Sequence, residues 1–127
     1  MKNNNDIGIL ILDDEESIRD SLQGFLEDFD YNVYTADTSK KALDIIKNNN
    51  CQIAIVDMRL PGMDGNAFIL KANQINSDTG FIIHTGSANF KLSKEVSQLG
   101  IKRENIFFKP VTDMMDFIKA IDSMVED

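Results

Sequence analysis

Five polar side chains stand where short apolar runs end. Asp13 and Asp14 follow Ile7 to Leu12, Asp57 follows Ile53 to Val56, Thr85 follows Phe81 to His84, and Lys109 follows Ile106 to Phe108. A charged residue directly after so apolar a run belongs at the rim of a buried element, not inside it. If these ends converge, three carboxylates meet within a few ångströms, so one must hold a proton or the group must hold a cation. The donors are all oxygens, without a Cys or His cluster beside them, and that set suits Mg2+. A near-octahedral shell would take Asp13, Asp14 and Asp57, a backbone carbonyl from the loop after Asp57 that we assign to Arg59, waters, and an incoming phosphate oxygen.

A carboxylate beside a divalent cation can attack phosphorus and become an aspartyl-phosphate, provided that charge on the transferred group is neutralised. Asp57 is the nucleophile in this reading. Lys109 supplies a point charge for the phosphoryl oxygens, and Thr85 supplies one hydroxyl donor.

The elements that must deliver these residues follow from periodicity. Ile7 to Leu12, Tyr31 to Thr35, Ile53 to Val56, Phe81 to His84 and Ile106 to Phe108 read as strands. Between and after them lie five helical stripes. The first carries Ile18, Leu22, Phe25, Leu26 and Phe29; the second, capped by Thr38 or Ser39, carries Ala42, Leu43 and Ile46 until Asn48, Asn49 and Asn50 break it. The third, capped by Asp64, carries Phe68, Ala72 and Ile75; the fourth carries Leu92, Val96 and Leu99 and stops at Gly100; the last carries Met114, Phe117, Ile118, Ile121 and Val125. Pro61 and Gly65 turn the chain between the third strand and the third helix. Strict alternation predicts an α/β fold, a doubly wound five-stranded parallel sheet with right-handed crossovers and five helices. Such sheets bind ligands outside the carboxyl ends of their strands. In the order 2-1-3-4-5 the first and third strands are neighbours, and all five polar side chains share one shallow cleft.

Composition bounds the rest. The 127 residues, 43% of them apolar, are enough for one domain spanning 1–127, without an internal repeat or linker. The single cysteine, Cys51, reads as a small residue entering a strand and fits a reducing compartment. The polar, asparagine-rich start is unlike a secretory leader, and no apolar stretch approaches the roughly 18 to 20 residues of a membrane helix, so a cytoplasmic protein is expected. A net charge of −8 argues against direct binding to nucleic acid or anionic membrane.

With "LDDEE" (12–16), "VDMRLPGMDG" (56–65), "HTG" (84–86) and "FFKP" (107–110) in order at strand ends, the chain resembles the receiver domain of two-component response regulators over essentially its whole length. The resemblance implies a flavodoxin-like fold with Asp57 as phosphoacceptor, Asp13 and Asp14 as the acidic metal site, the Arg59 carbonyl as a ligand, Thr85 as switch hydroxyl and Lys109 as phosphate partner. It implies a cis Lys109–Pro110 bond. It also implies a sensor histidine kinase or histidine phosphotransfer protein as donor, a downstream output domain or protein as reader, and a phosphorylation-dependent homodimer as one further assembly. Self-phosphorylation and autodephosphorylation would be its only chemistry, which makes it a signalling protein and not an enzyme with a substrate of its own.

Two other readings carry less. A Mg2+-dependent phosphohydrolase working through an aspartyl-phosphate wants a second acid two residues after the nucleophile, where Arg59 stands. A phosphorylation-independent interaction module gains from one departure from the family: the aromatic expected three residues before the lysine is Ile106. A second departure is "IKREN" (101–105), about two residues longer than the usual spacing. Arg59 and Ser87 occupy positions that tune phosphoryl lifetime in that family. His84 reads first as a packed, hydrogen-bonded strand residue and secondarily as a modulator of Thr85. Met114 reads as core, while Met115 is open between core and contact surface.

Overall fold

The computed structural model describes residues 3–60, 63–87 and 89–125. The turn read at Pro61 lies outside the described residues. β1 (Gly8–Leu12), β2 (Asn32–Ala36), β3 (Ile53–Val56), β4 (Gly80–Thr85) and β5 (Ile106–Phe108) form one parallel sheet in the order β2-β1-β3-β4-β5. α1 (Glu16–Asp28), α2 (Ser39–Asn48), α3 (Gly65–Ile75), α4 (Lys94–Ser97) and α5 (Met115–Val125) complete the alternation.

β1 and β3 are buried at every position, as strands covered on both faces must be. Side-chain alternation divides the core in two. Leu10, Leu12, Ala54, Val56 and Ile83 pack under α2 and α3, while Ile9, Ile11, Ile53, Ile55 and Ile82 pack under α1 and α5. Register then fixes the site: Leu12 pairs with Val56, so the residues that follow, Asp13 and Asp57, leave the sheet side by side.

Thr38 caps α2, its side chain accepting from the Lys41 N–H at 3.2 Å, and Asp64 caps α3, accepting from the Ala67 N–H at 2.9 Å. Gly65 stands where the turn from β3 into α3 was expected, its N–H donating back to Met58 O at 3.4 Å. It is the first residue of α3, and a Cβ there would lie 2.5 Å from Met58 Sδ and 2.8 Å from Met58 Cα.

α4 departs most from the sequence reading. Instead of a face running from Leu92 to Leu99, the helix is the single turn Lys94–Ser97, capped by Ser93, and Leu99 is exposed. The ladder tightens at once: Ser97 and Gln98 bond four residues back, but Leu99 bonds Val96 and Gly100 bonds Ser97, three residues back. Gly100, at φ +80°, then ends the element. "IKREN" contributes a short 3-10 turn, Arg103–Asn105, leading into β5. Among the described residues no helix is long and apolar enough to cross a membrane.

Candidate functional site

Asp13, Asp57 and Lys109 each continue a strand past its last residue, and backbone bonds hold that edge square. The Asp13 N–H donates to Ala36 O (3.2 Å), the Asp57 N–H to Leu12 O (3.0 Å) and the Lys109 N–H to Thr85 O (2.9 Å). The Lys109–Pro110 bond is cis, as the resemblance implied. From β5 the lysine stem runs past Gly86, where a Cβ would stand 3.9 Å from Lys109 Cδ, and carries the ammonium back toward β3 and β1.

There Lys109 Nζ meets three carboxylates: Asp13 Oδ2 at 2.8 Å, Glu15 Oε2 at 2.9 Å and Asp57 Oδ2 at 3.3 Å. The remaining oxygens are oriented by backbone donors. Asp57 Oδ1 accepts from the Arg59 N–H at 3.0 Å, and Asp13 Oδ1 accepts from the Glu15 N–H at 2.9 Å. Arg19 Nη1 donates to the Asp13 carbonyl at 2.8 Å, tying the first turn of α1 to the site.

Electrostatics follow this geometry. Burial, the largest effect, pushes the Asp13 carboxyl above its usual range, and the Lys109 hydrogen bond pulls it partway back. Burial also disfavours the Lys109 ammonium, yet the carboxylates of Asp13 and Glu15 outweigh that and hold its pKa above the ordinary value. Glu15 is lowered chiefly by its hydrogen bond to Lys109.

Of the five residues singled out in the sequence, four meet: Asp13, Asp14, Asp57 and Lys109. Thr85 does not line the cleft. It is fully buried, and its Oγ1 accepts from the Ser87 N–H at 3.2 Å, which leaves the hydroxyl hydrogen free to donate. Arg59 is exposed and lines a cleft of about 470 Å³ with Asp14, Glu15, Asp57, Gly86 and Lys109.

One oxygen from each of Asp13, Asp14 and Asp57 lies within 4.8 Å of the others. Oxygens around Mg2+ at about 2.1 Å stand about 3.0 Å apart when adjacent and about 4.2 Å when opposite. The three carboxylates thus stand close enough to share one cation of this kind. The cation that the acid cluster demanded is meanwhile present as the Lys109 ammonium.

Two residues escaped the sequence reading. Glu15, within "LDDEE", looks like helix-capping charge, but its side chain makes no capping bond and turns to Lys109. Arg19 has no sequence signal beyond its position in the first turns of α1. His84 is packed as expected, edge-on to Phe117 with ring centroids 5.1 Å apart, although its Nδ1 has no hydrogen-bond partner among the described residues. Met114 packs against the core and Met115 faces outward. Burial raises the Cys51 thiol to about 11, so it stays protonated.

A family model described as "Response regulator receiver domain" matches residues 9–122. Sporulation initiation phosphotransferase F of Bacillus subtilis is 29% identical over 113 residues, covering 87% of this chain and 90% of that protein. The uncharacterized transcriptional regulatory protein YesN, also of Bacillus subtilis, is 27% identical over 122 residues; these are 94% of this chain but 32% of that protein, so the chain spans about a third of its length. Among solved structures, a CheY-like response regulator receiver domain protein from Methanospirillum hungatei superposes with a TM-score of 0.77 at 30% identity, covering 92% of this chain and 91% of that one. The beryllofluoride-activated NtrC4 receiver domain dimer gives 0.79 at 28% identity, covering 92% and 94%.

Proposed function

The chain belongs to the family of response regulator receiver domains, and on that premise we propose that residues 1–127 form one phosphorylation-controlled signalling switch with Asp57 as phosphoacceptor. The observation that carries this reading is the meeting of Asp13, Asp14, Asp57 and Lys109 at the carboxyl edge of β1, β3 and β5. The donor is the phosphohistidine of a sensor histidine kinase or histidine phosphotransfer protein. A carboxylate oxygen of Asp57 bonds to phosphorus as the phosphorus–nitrogen bond breaks, and the imidazole nitrogen keeps the electron pair and takes up a proton. Mg2+, when held by Asp13, Asp14, Asp57 and the Arg59 carbonyl, supplies charge neutralisation on the transferring group.

The protein's own groups then respond. Lys109, already 3.3 Å from Asp57, moves its ammonium onto a phosphoryl oxygen, and Thr85, whose hydroxyl oxygen accepts from Ser87, donates its hydroxyl hydrogen to another. That pull acts on the connection from Thr85 to Ser93, shifting α4 and β5 between two arrangements that an output domain, a partner protein or a second copy of the chain reads. Arg59 disfavours a phosphohydrolase, because it puts an exposed cation where that chemistry needs an acid.

Incubation with acetyl phosphate and Mg2+, followed by intact-mass measurement, tests the assignment. One phosphoryl adduct is expected on wild type and none on Asp57→Asn, while Lys109→Ala takes the adduct but loses the amide shift changes around Thr85 to Ser97. A wild-type protein that stays unmodified, or equal labelling of Asp57→Asn, overturns the reading.

A further inference from the structure

An ammonium has three N–H donors, and all three of Lys109 are taken. Their acceptors, Asp13, Glu15 and Asp57, differ sharply in setting: the side chains of Asp13 and Asp57 are 3% and 6% exposed, whereas that of Glu15 is 58% exposed. A phosphoryl oxygen on Asp57 can gain this ammonium only by displacing one acceptor. Asp57 is the group that carries the phosphoryl. Asp13, when it holds Mg2+, has the metal as counter-charge and no longer needs the ammonium, whereas Glu15 gains no substitute partner and goes on competing for it. Releasing Glu15 returns an exposed carboxylate to water at little cost.

We infer that Glu15 is a positioning residue that latches Lys109 in the resting site, its carboxylate competing with the phosphoryl oxygen for one ammonium. The inference rests on the phosphoacceptor reading above and adds the step that sets the threshold for switching. Glu15 occupies the residue before α1, but its side chain caps nothing, so replacing it removes no helix bond. An ion pair of this exposure shifts an equilibrium by about two- to fivefold, enough to tune a switch without locking it.

The test titrates wild type, Glu15→Gln and Glu15→Asp with beryllofluoride at fixed Mg2+, following amide signals around Thr85 and Lys109. A latch predicts that Glu15→Gln half-saturates at about two- to fivefold lower beryllofluoride than wild type. It also predicts that Glu15→Asp, with the charge kept but the reach one methylene shorter, does the same. Glu15→Asp matching wild type while Glu15→Gln binds more tightly would mean that Glu15 merely repels the incoming anion, and the latch is wrong. Identical curves for all three overturn the latch and leave the phosphoacceptor reading intact. If wild type takes up neither beryllofluoride nor a phosphoryl group from acetyl phosphate, both fall together.

Discussion

His84 is a buried base whose Nδ1 has no hydrogen-bond partner among the described residues, and its titration ties the site to stability. Burial, helped by the positive charge of Lys109, lowers its pKa from 6.5 to about 4, while Asp57 and Glu15 oppose the shift. Between those two values the unfolded chain binds more protons than the folded one, so stability rises with pH across that window. The contribution is whole above about pH 6.5 and is lost as the pH falls toward 4. At pH 5 the loss relative to pH 7 is roughly 2 kcal/mol. Urea midpoints of wild type and His84→Leu at the two pH values check this, because the leucine variant removes only this dependence; parallel changes in both would sink it. Legibility at this scale followed burial. Asp13, Asp57 and Lys109 were readable since a charge ending an apolar run has few alternatives. Glu15 was not, because an exposed acid before a helix looks the same whether it caps, interacts with the helix dipole or reaches across to a lysine.

The strands and long helices were legible because their apolar periods are unambiguous, but α4 was not. Leu92, Val96 and Leu99 satisfy a helical spacing with three residues, and the same spacing survives when the chain enters as a loop and leaves in a tighter turn. Beyond its short ladder, its Ser93 cap and the buried Val96, that segment is tied to α3 by Asn66, whose Nδ2 donates to Lys91 O at 2.9 Å and whose Oδ1 accepts from the Ser93 N–H at 2.8 Å. The first turn of α3 thus ties down Lys91 and Ser93, just before α4. Net values of about 1 kcal/mol per bond make Asn66→Ala worth about 1 to 2 kcal/mol locally. Amide hydrogen exchange at Val96 to Gly100 should accelerate by roughly five- to thirtyfold in that variant, with β1 and β3 unchanged. Uniform acceleration across the sheet would instead mean that Asn66 supports the whole fold.

For the molecule as a whole the acid cluster is an electrostatic load within a chain of net charge −8, and Lys109 offsets only part of it. The folded state gathers Asp13, Asp14 and Asp57 to within 4.8 Å and the unfolded chain disperses them, so a divalent cation that uses all three binds the folded state preferentially. Linkage then turns affinity into stability: at Mg2+ ten times its Kd the gain is about 1.4 kcal/mol, which for a chain of this length raises Tm by about 5 °C. General screening by salt would also relieve the repulsion, so the comparison is with NaCl at matched ionic strength. Asp14 is the discriminating position, since it is exposed and has no hydrogen bond or ion pair of its own among the described residues. Asp14→Asn should leave the metal-free Tm equal to or slightly above wild type and remove most of the Mg2+ increment. Asp13→Asn, by contrast, lowers Tm even without Mg2+, because it takes a buried partner from Lys109. If Mg2+ and matched NaCl raise the wild-type Tm equally, the three carboxylates are a charge cluster held by Lys109 and not a metal site.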